Sequence, residues 1–96
     1  MIYIKVHKGI SEFVSLCDEE LVGKEFKEGR YCLKLSEHFY KGEKKTEEKV
    51  REILKNYDQF NIVGKRSIKI ALELGIIDKN SIIKIEGVPH AQVVSC

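Results

Sequence analysis

Gly64-Lys65-Arg66-Ser67 is the stretch of this chain whose residue types could do chemistry. The apolar run Phe60 to Val63 leads into it, and Ile68, Ala71, Leu72 and Gly75 or Ile76 follow at helical spacing. A helix start leaves its first backbone N–H groups without intrahelical partners, and the aligned peptide dipoles add partial positive charge there. Gly64 lets the backbone turn sharply or approach a ligand closely. Ser67 can cap the helix, and Lys65 and Arg66 stand beside the free N–H groups. A phosphate or carboxylate suits such a corner. The motif is not a P-loop, because the two-glycine spacing and the Gly-Lys-Ser/Thr ending are absent. The plainer alternative is an ordinary capped helix with solvated lysine and arginine.

The second candidate is Gly87-Val88-Pro89-His90-Ala91-Gln92. In an extended segment His90 and Gln92 leave one face while Ala91 and Val93 take the other. Pro89 fixes its own φ and holds Val88 in extended geometry, and a proline in a strand favours an edge or rim. A strand presenting imidazole and amide could hydrogen-bond a ligand; a polar outer sheet face is the structural alternative. Sequential elements usually neighbour in space. The expectation is therefore one polar pocket joining Gly64, Lys65, Arg66 and Ser67 to His90 and Gln92.

Other chemistries find less support. A metal site needs several convergent ligands, and His7, Cys17, Cys32, His38 and His90 show no paired spacing. His7 and Cys17 could meet on neighbouring strands, but buried thiols and surface histidines are the simpler reading. Nucleophilic catalysis needs a Cys or Ser beside a base and an orienting group. Cys17 and Cys32 lie inside strands, Cys96 is the terminal residue, and no local signature surrounds any of them. Asp18 and Glu19 read as part of a charge run. The residues lean against an enzyme and call for no cofactor and no metal.

The elements that must position the two candidates follow from periodicity. Ile2, Ile4 and Val6 alternate with polar residues, a half-buried strand. Glu12 to Cys17 is a second strand, with Val14 and Leu16 on one face and Phe13, Ser15 and Cys17 on the other. Residues 21–29 read as a loop, and Arg30 to Ser36 as a third strand. Thr46 caps a helix near 46–57, in which Val50, Ile53, Leu54 and Tyr57 form one apolar stripe. A strand at 60–63, a helix near 66–75 and two strands after Asp78 complete the order strand-strand-strand-helix-strand-helix-strand-strand. Strands clustered before helices predict an α+β fold, one domain over residues 1–96, with a mostly antiparallel sheet and two main helices.

Composition sets bounds on partners and setting. Ninety-six residues suffice for one modest core. A net charge of +2 is too small to argue for nucleic acid from the total, although basic residues can segregate on one face. Three cysteines without a C-x-x-C pair read as reduced thiols. The opening residues lack the apolar run of a signal peptide, and no stretch has the length of a membrane span. The expectation is a cytoplasmic protein. Basic residues including Lys5, Lys8, Lys34, Lys65, Arg66 and Lys69, with Tyr3, Tyr31, Phe39 and Tyr40 as stacking partners, permit RNA binding without any RNP, KH or zinc-finger signature.

Asn61-Ile-Val-Gly-Lys-Arg-Ser-Ile-Lys-Ile-Ala-Leu-Glu-Leu-Gly-Ile-Ile77, followed by Gly87-Val-Pro-His-Ala-Gln-Val-Val94, resembles a family of small single-domain archaeal proteins classified as a domain of unknown function. The likeness covers nearly the whole chain, and the closing Val-Pro-His-Ala-Gln string is its most specific part. It implies an archaeal cytosolic protein and carries no catalytic or binding residues across. The reading is a non-enzymatic binding module for RNA or a ribonucleoprotein or translation partner, using Lys65 and Arg66. The alternative is a small ligand-binding domain or enzyme holding an anion at the Gly64 to Ser67 helix start near His90.

Overall fold

In the computed structural model, which describes residues 1–94, the chain runs β1 (Ile2–His7), β2 (Phe13–Asp18), β3 (Glu25–Glu28), β4 (Tyr31–Lys34), α1 (Glu37–Tyr40), β5 (Glu43–Lys45), α2 (Glu47–Leu54), β6 (Phe60–Val63), α3 (Lys65–Glu73), β7 (Ile83–Ile85) and β8 (Val88–Val93). Single 3-10 turns span Glu19–Leu21 and Lys79–Ser81. Six strands form one sheet in the order β5-β1-β2-β6-β8-β7, and β3 and β4 form a separate hairpin. All pairings are antiparallel except β2 with β6, which is parallel. The fold is α+β, as composition and periodicity predict.

Strand alternation divides the core between the two sheet faces. Ile2, Ile4, Val14, Leu16, Phe60, Ile62 and Ala91 face α2 and α3, meeting Val50, Leu54, Ile68 and Ala71. Cys17, Val63 and Ile85 face the other way, where Leu33, Leu35 and Tyr40 cover them. The predicted stripe on α2 holds: Val50 and Leu54 are buried, and Ile53 and Tyr57 are half-buried against the same core. Thr46 caps α2 by accepting the Lys49 N–H at 3.3 Å. The helix stops at Leu54, so Tyr57 packs from the loop that follows.

Three elements depart from expectation. Residues 25–28, read as loop, form a strand because β4 supplies a partner, pairing Phe26 with Leu33 and Glu28 with Tyr31. Tyr31 is consequently exposed while Leu33 is buried. Glu43 to Lys45, just ahead of the helix predicted near 46–57 and given no element by periodicity, is the edge strand β5 beside β1. Glu37 to Tyr40 is a helical turn capped by Ser36, whose side chain accepts the Phe39 N–H at 3.3 Å.

The β7–β8 turn is held from outside. Glu86 has φ 51° and Gly87 φ 80°, the positive values that a tight two-residue hairpin demands. The Glu28 carboxylate accepts the Glu86 N–H at 2.7 Å, and the Glu86 carboxylate accepts the Lys27 N–H at 2.7 Å. These reciprocal bonds tie the β3–β4 hairpin to the β7–β8 turn.

Candidate functional site

The start of α3 is where sequence reading places an anion, and the chain supplies that anion itself. Asp18, the last residue of β2, is 2 % exposed. Its carboxylate accepts the Arg66 N–H at 3.0 Å, the Ser67 N–H at 2.9 Å and the Ser67 hydroxyl at 2.8 Å. Because β2 runs parallel to β6, the C-terminal end of β2 arrives beside the helix that β6 launches. The first turn of α3 contains no acidic residue of its own, and Asp18 complements its dipole.

Gly64, with φ 106°, is the N-cap, and a Cβ there would lie 2.3 Å from the Asp18 Cγ. The close approach that glycine permits is to Asp18 rather than to a ligand. Ser67 is therefore not the cap. It sits in the first turn, fully buried, its hydroxyl donated to Asp18. Arg66 forms an ion pair with Glu20 and donates to the Met1 carbonyl at 3.3 Å. Glu19 pairs with the N-terminal ammonium at 3.1 Å, and that hydrogen bond foremost holds its carboxyl below the usual range. The run Asp18-Glu19-Glu20 thus neutralises most of the positive charge at this corner. Lys65 is left exposed.

The predicted junction of this corner with His90 and Gln92 forms through backbone only. The Gly64 N–H donates to the Pro89 carbonyl at 2.9 Å, and Val63 pairs with His90. Pro89 and Ala91 face α3, so the alternating His90 and Gln92 take the opposite face. His90 points Nδ1 at the Ile62 carbonyl at 3.0 Å. Burial pushes its imidazole below the ordinary 6.5, partly opposed by that hydrogen bond. Gln92 is exposed and pairs with Asn61, farther along β6. It lines a separate 260 Å³ depression with Phe13, Phe39 and Phe60.

Pro89 also corrects an expectation, since β8 is an interior strand rather than an edge. Its missing N–H would have met the Gly64 carbonyl. That carbonyl already accepts the Ile68 N–H at 2.9 Å as the first acceptor of α3. The proline costs the sheet no ladder bond at that position.

What the corner offers to solvent is a cleft of about 460 Å³ between α3 and the β7–β8 hairpin. Lys65, Ile68, Lys69, Leu72 and Glu73 line one side, residues at i, i+3, i+4, i+7 and i+8 along α3. Ile82, Lys84 and Pro89 line the other. Ile68, Leu72, Ile82 and Pro89 make the floor apolar, and Leu72 is 37 % exposed. Glu73 is tied to Arg51 of α2. Among the described residues, Lys65, Lys69 and Lys84 make no ion pair. A 210 Å³ extension past Lys65, Gly87 and Pro89 reaches Asp18 and Glu20. Lys84 and the joining of Lys69 to this cleft escape sequence reading. The signals are the mixed apolar and basic spacing on α3 and the alternation of Ile82 with Lys84.

The remaining chemistry-bearing groups serve the interior. His7 pairs with Phe13, far from Cys17, which pairs with Tyr3, so the His7–Cys17 meeting does not occur. His7 stacks between Phe13 at 4.4 Å and Phe39 at 4.5 Å. Its Nε2 lies 3.0 Å from the Ser15 Oγ. Ser15 is fully buried and also bonds the Phe39 carbonyl at 3.1 Å, so it offers no accessible nucleophile. Burial pushes the Cys17 thiol up to about 12, reinforced by Asp18 and Glu20. Cys32 is exposed on β4, and Cys96 lies outside the described residues. Among the described residues no group of three or more His, Cys, Asp and Glu side chains could hold a metal ion. None of their helices is long and apolar enough to cross a membrane.

The model of a family described as a protein of unknown function, DUF424, matches residues 7–96. The fold is similar to the crystal structure of an uncharacterized conserved protein from Methanopyrus kandleri. The TM-score is 0.77 at 28 % identity, over 96 % of this chain and 89 % of that one. No curated protein matches the chain.

Proposed function

The chain belongs to the DUF424 family, and from that premise we propose that it is a non-enzymatic binding module for RNA or a ribonucleoprotein partner. The binding face is the lysine-rimmed cleft between α3 and the β7–β8 hairpin. One observation supports this most: Lys65, Lys69 and Lys84 surround an apolar floor and make no ion pair among the described residues, while Glu73 on the same wall is held by Arg51 and Arg66 by Glu20. Lysine ammonium groups on flexible stems suit phosphates and carboxylates approached at varied angles. Among the described residues the cleft lining is lysine, glutamate and apolar side chains, so what they offer is charge and apolar surface. The alternative of a small anion at the helix start needs the Arg66 and Ser67 amides, which Asp18 holds. A cytosolic setting and an archaeal source accord with this reading.

The test is the salt dependence of binding to a fluorescent single-stranded RNA. Each phosphate neutralised on a single strand steepens the log–log slope by about 0.7. Replacing Lys65, Lys69 and Lys84 together by alanine should lower the slope by about 2. Replacing Lys24, Lys49 and Lys55 should leave it in place. A slope indifferent to the first three lysines would remove the RNA version of the reading from this face.

A further inference from the structure

β7 is the terminal strand of the sheet and forms one wall of the cleft through Lys84. Which of its backbone groups are free follows from Pro89. The Pro89 carbonyl accepts the Gly64 N–H, so the backbone of Pro89 faces β6. Lys84 pairs with Pro89. Lys84 therefore occupies a rung where no bond crosses from β7 to β8, and its N–H and C=O point away from the sheet. Both neighbouring amides on that edge are engaged, Ile82 with the Lys79 carbonyl at 3.3 Å and Glu86 with the Glu28 carboxylate at 2.7 Å. The edge thus presents one open donor–acceptor pair. Ile83 is 39 % exposed and Lys84 is exposed, so this rung is accessible.

We propose that the groove captures an extended acidic peptide segment as an added antiparallel strand on β7, its central residue pairing with Lys84. This rests on the cleft being the binding face and names the partner as a protein strand rather than RNA. Three features favour that choice. A single open N–H and C=O match a peptide backbone. Among the described residues no aromatic ring lines the cleft on which a base could stack. The floor is aliphatic and the rim is basic. Residues at i and i+2 of a strand share a face. The side chain of the residue paired with Lys84 lies beside the Lys84 ammonium on the α3 face, and in antiparallel pairing the residue two positions after it lies beside Ile82, while the one two positions before it lies beside Glu86. The matching pattern is acid-x-aliphatic, with the acid paired with Lys84 and the aliphatic residue over Ile82. With one open rung, backbone pairing alone does not select the occupant, and the side-chain contacts do.

The experiment titrates the intact protein with the peptide Thr-Thr-Thr-Glu-Thr-Ile-Thr, blocked at both ends, by heteronuclear NMR at low salt. A second peptide is N-methylated at the glutamate, which deletes the donor to the Lys84 carbonyl and leaves charge and side chains intact. The expected result is weakening by about tenfold on N-methylation, the loss of one backbone hydrogen bond. Lys84→Pro should weaken the parent peptide beyond Lys84→Gln, which removes the same ammonium, because the additional lost N–H faces solvent and the β7–β8 ladder is kept. A single-stranded uridine oligomer forms the second arm. Equal binding of the parent and N-methylated peptides overturns strand addition. Binding of the oligomer to the lysines with no binding of the peptide overturns it too, while the reading of the cleft as a binding face stands. Failure of both ligands overturns the two together.

Discussion

The Asp18 carboxylate and Ser67, both buried, are joined twice, through the Ser67 amide at 2.9 Å and its hydroxyl at 2.8 Å. That pair joins the end of β2 to the start of α3. It turns a motif with the makings of an anion site into a structural joint. Replacing Asp18 with alanine leaves two α3 amides and a buried hydroxyl without partners. The expected loss is about 2–4 kcal/mol, combining a lost helix cap with unsatisfied buried donors. Urea denaturation checks this, and a change below about 0.5 kcal/mol, the size of an ordinary surface substitution, would contradict the joint.

Gly64→Ala tests the same joint from the other side. The new methyl would stand 2.3 Å from the Asp18 Cγ on a backbone with φ 106°. Left-handed strain and overpacking together cost about 2–5 kcal/mol. Combining Gly64→Ala with Asp18→Ala should cost less than the sum of the two single changes, because the clash disappears with the carboxylate. Additive losses would show that the two residues do not touch in solution.

Histidine burial sets a pH dependence. Desolvation holds both His7 and His90 below the ordinary 6.5, each against a weaker backbone hydrogen bond that raises it. The unfolded chain binds these protons first as pH falls, so acidification favours unfolding. Their contribution to stability is complete above about 6.5 and is lost as pH falls below that value. The urea midpoint should therefore drop between pH 7.5 and 5.5, and His7→Phe with His90→Gln should remove much of the drop. A midpoint that rises on acidification would reverse the sign.

Thiol reactivity separates the two described cysteines. Cys17 is fully buried with its thiol pushed up to about 12, and Cys32 is exposed. In a Cys96→Ser background, a maleimide at neutral pH should modify Cys32 in the folded protein and reach Cys17 only after denaturation. Mass spectrometry of the peptides reads this directly, and rapid native labelling of Cys17 would contradict the packing of the β2 face.

The parts legible in the sequence are those whose physics is local. β1 and β2 show period two, and the cap Thr46 and the apolar stripe ending at Tyr57 lie within twelve residues. The strand-to-helix step at Gly64 shows a glycine between two periodicities. β3 is hidden because Glu25-Phe26-Lys27-Glu28 has one apolar residue, and its strand geometry comes from the partner β4. β5 is hidden because Glu43-Lys44-Lys45 carries only charge and gains order by pairing with β1. The candidate site divides the same way. The exposed N–H groups of α3 are a local consequence of a helix start. Their neutralisation by Asp18 spans 49 residues and depends on the parallel β2–β6 register. An acid closing one strand and a helix without acids in its first turn are the only traces of that pairing in the sequence. The two sites expected to merge stay apart because Pro89 and Ala91 take the face toward α3, which turns His90 and Gln92 away from it.

The claim on which the account turns is that the α3/β7–β8 cleft is the binding face. Backbone amide mapping of labelled protein, titrated in turn with the uridine oligomer and the acidic peptide, tests it most directly. The account predicts shifts at Lys65, Ile68, Lys69, Leu72, Ile82 and Lys84 with at least one ligand, and their loss when Lys65, Lys69 and Lys84 are changed to alanine. Shifts centred instead on Phe26, Tyr31 and Cys32 across the sheet, or undiminished in the alanine variant, would contradict it.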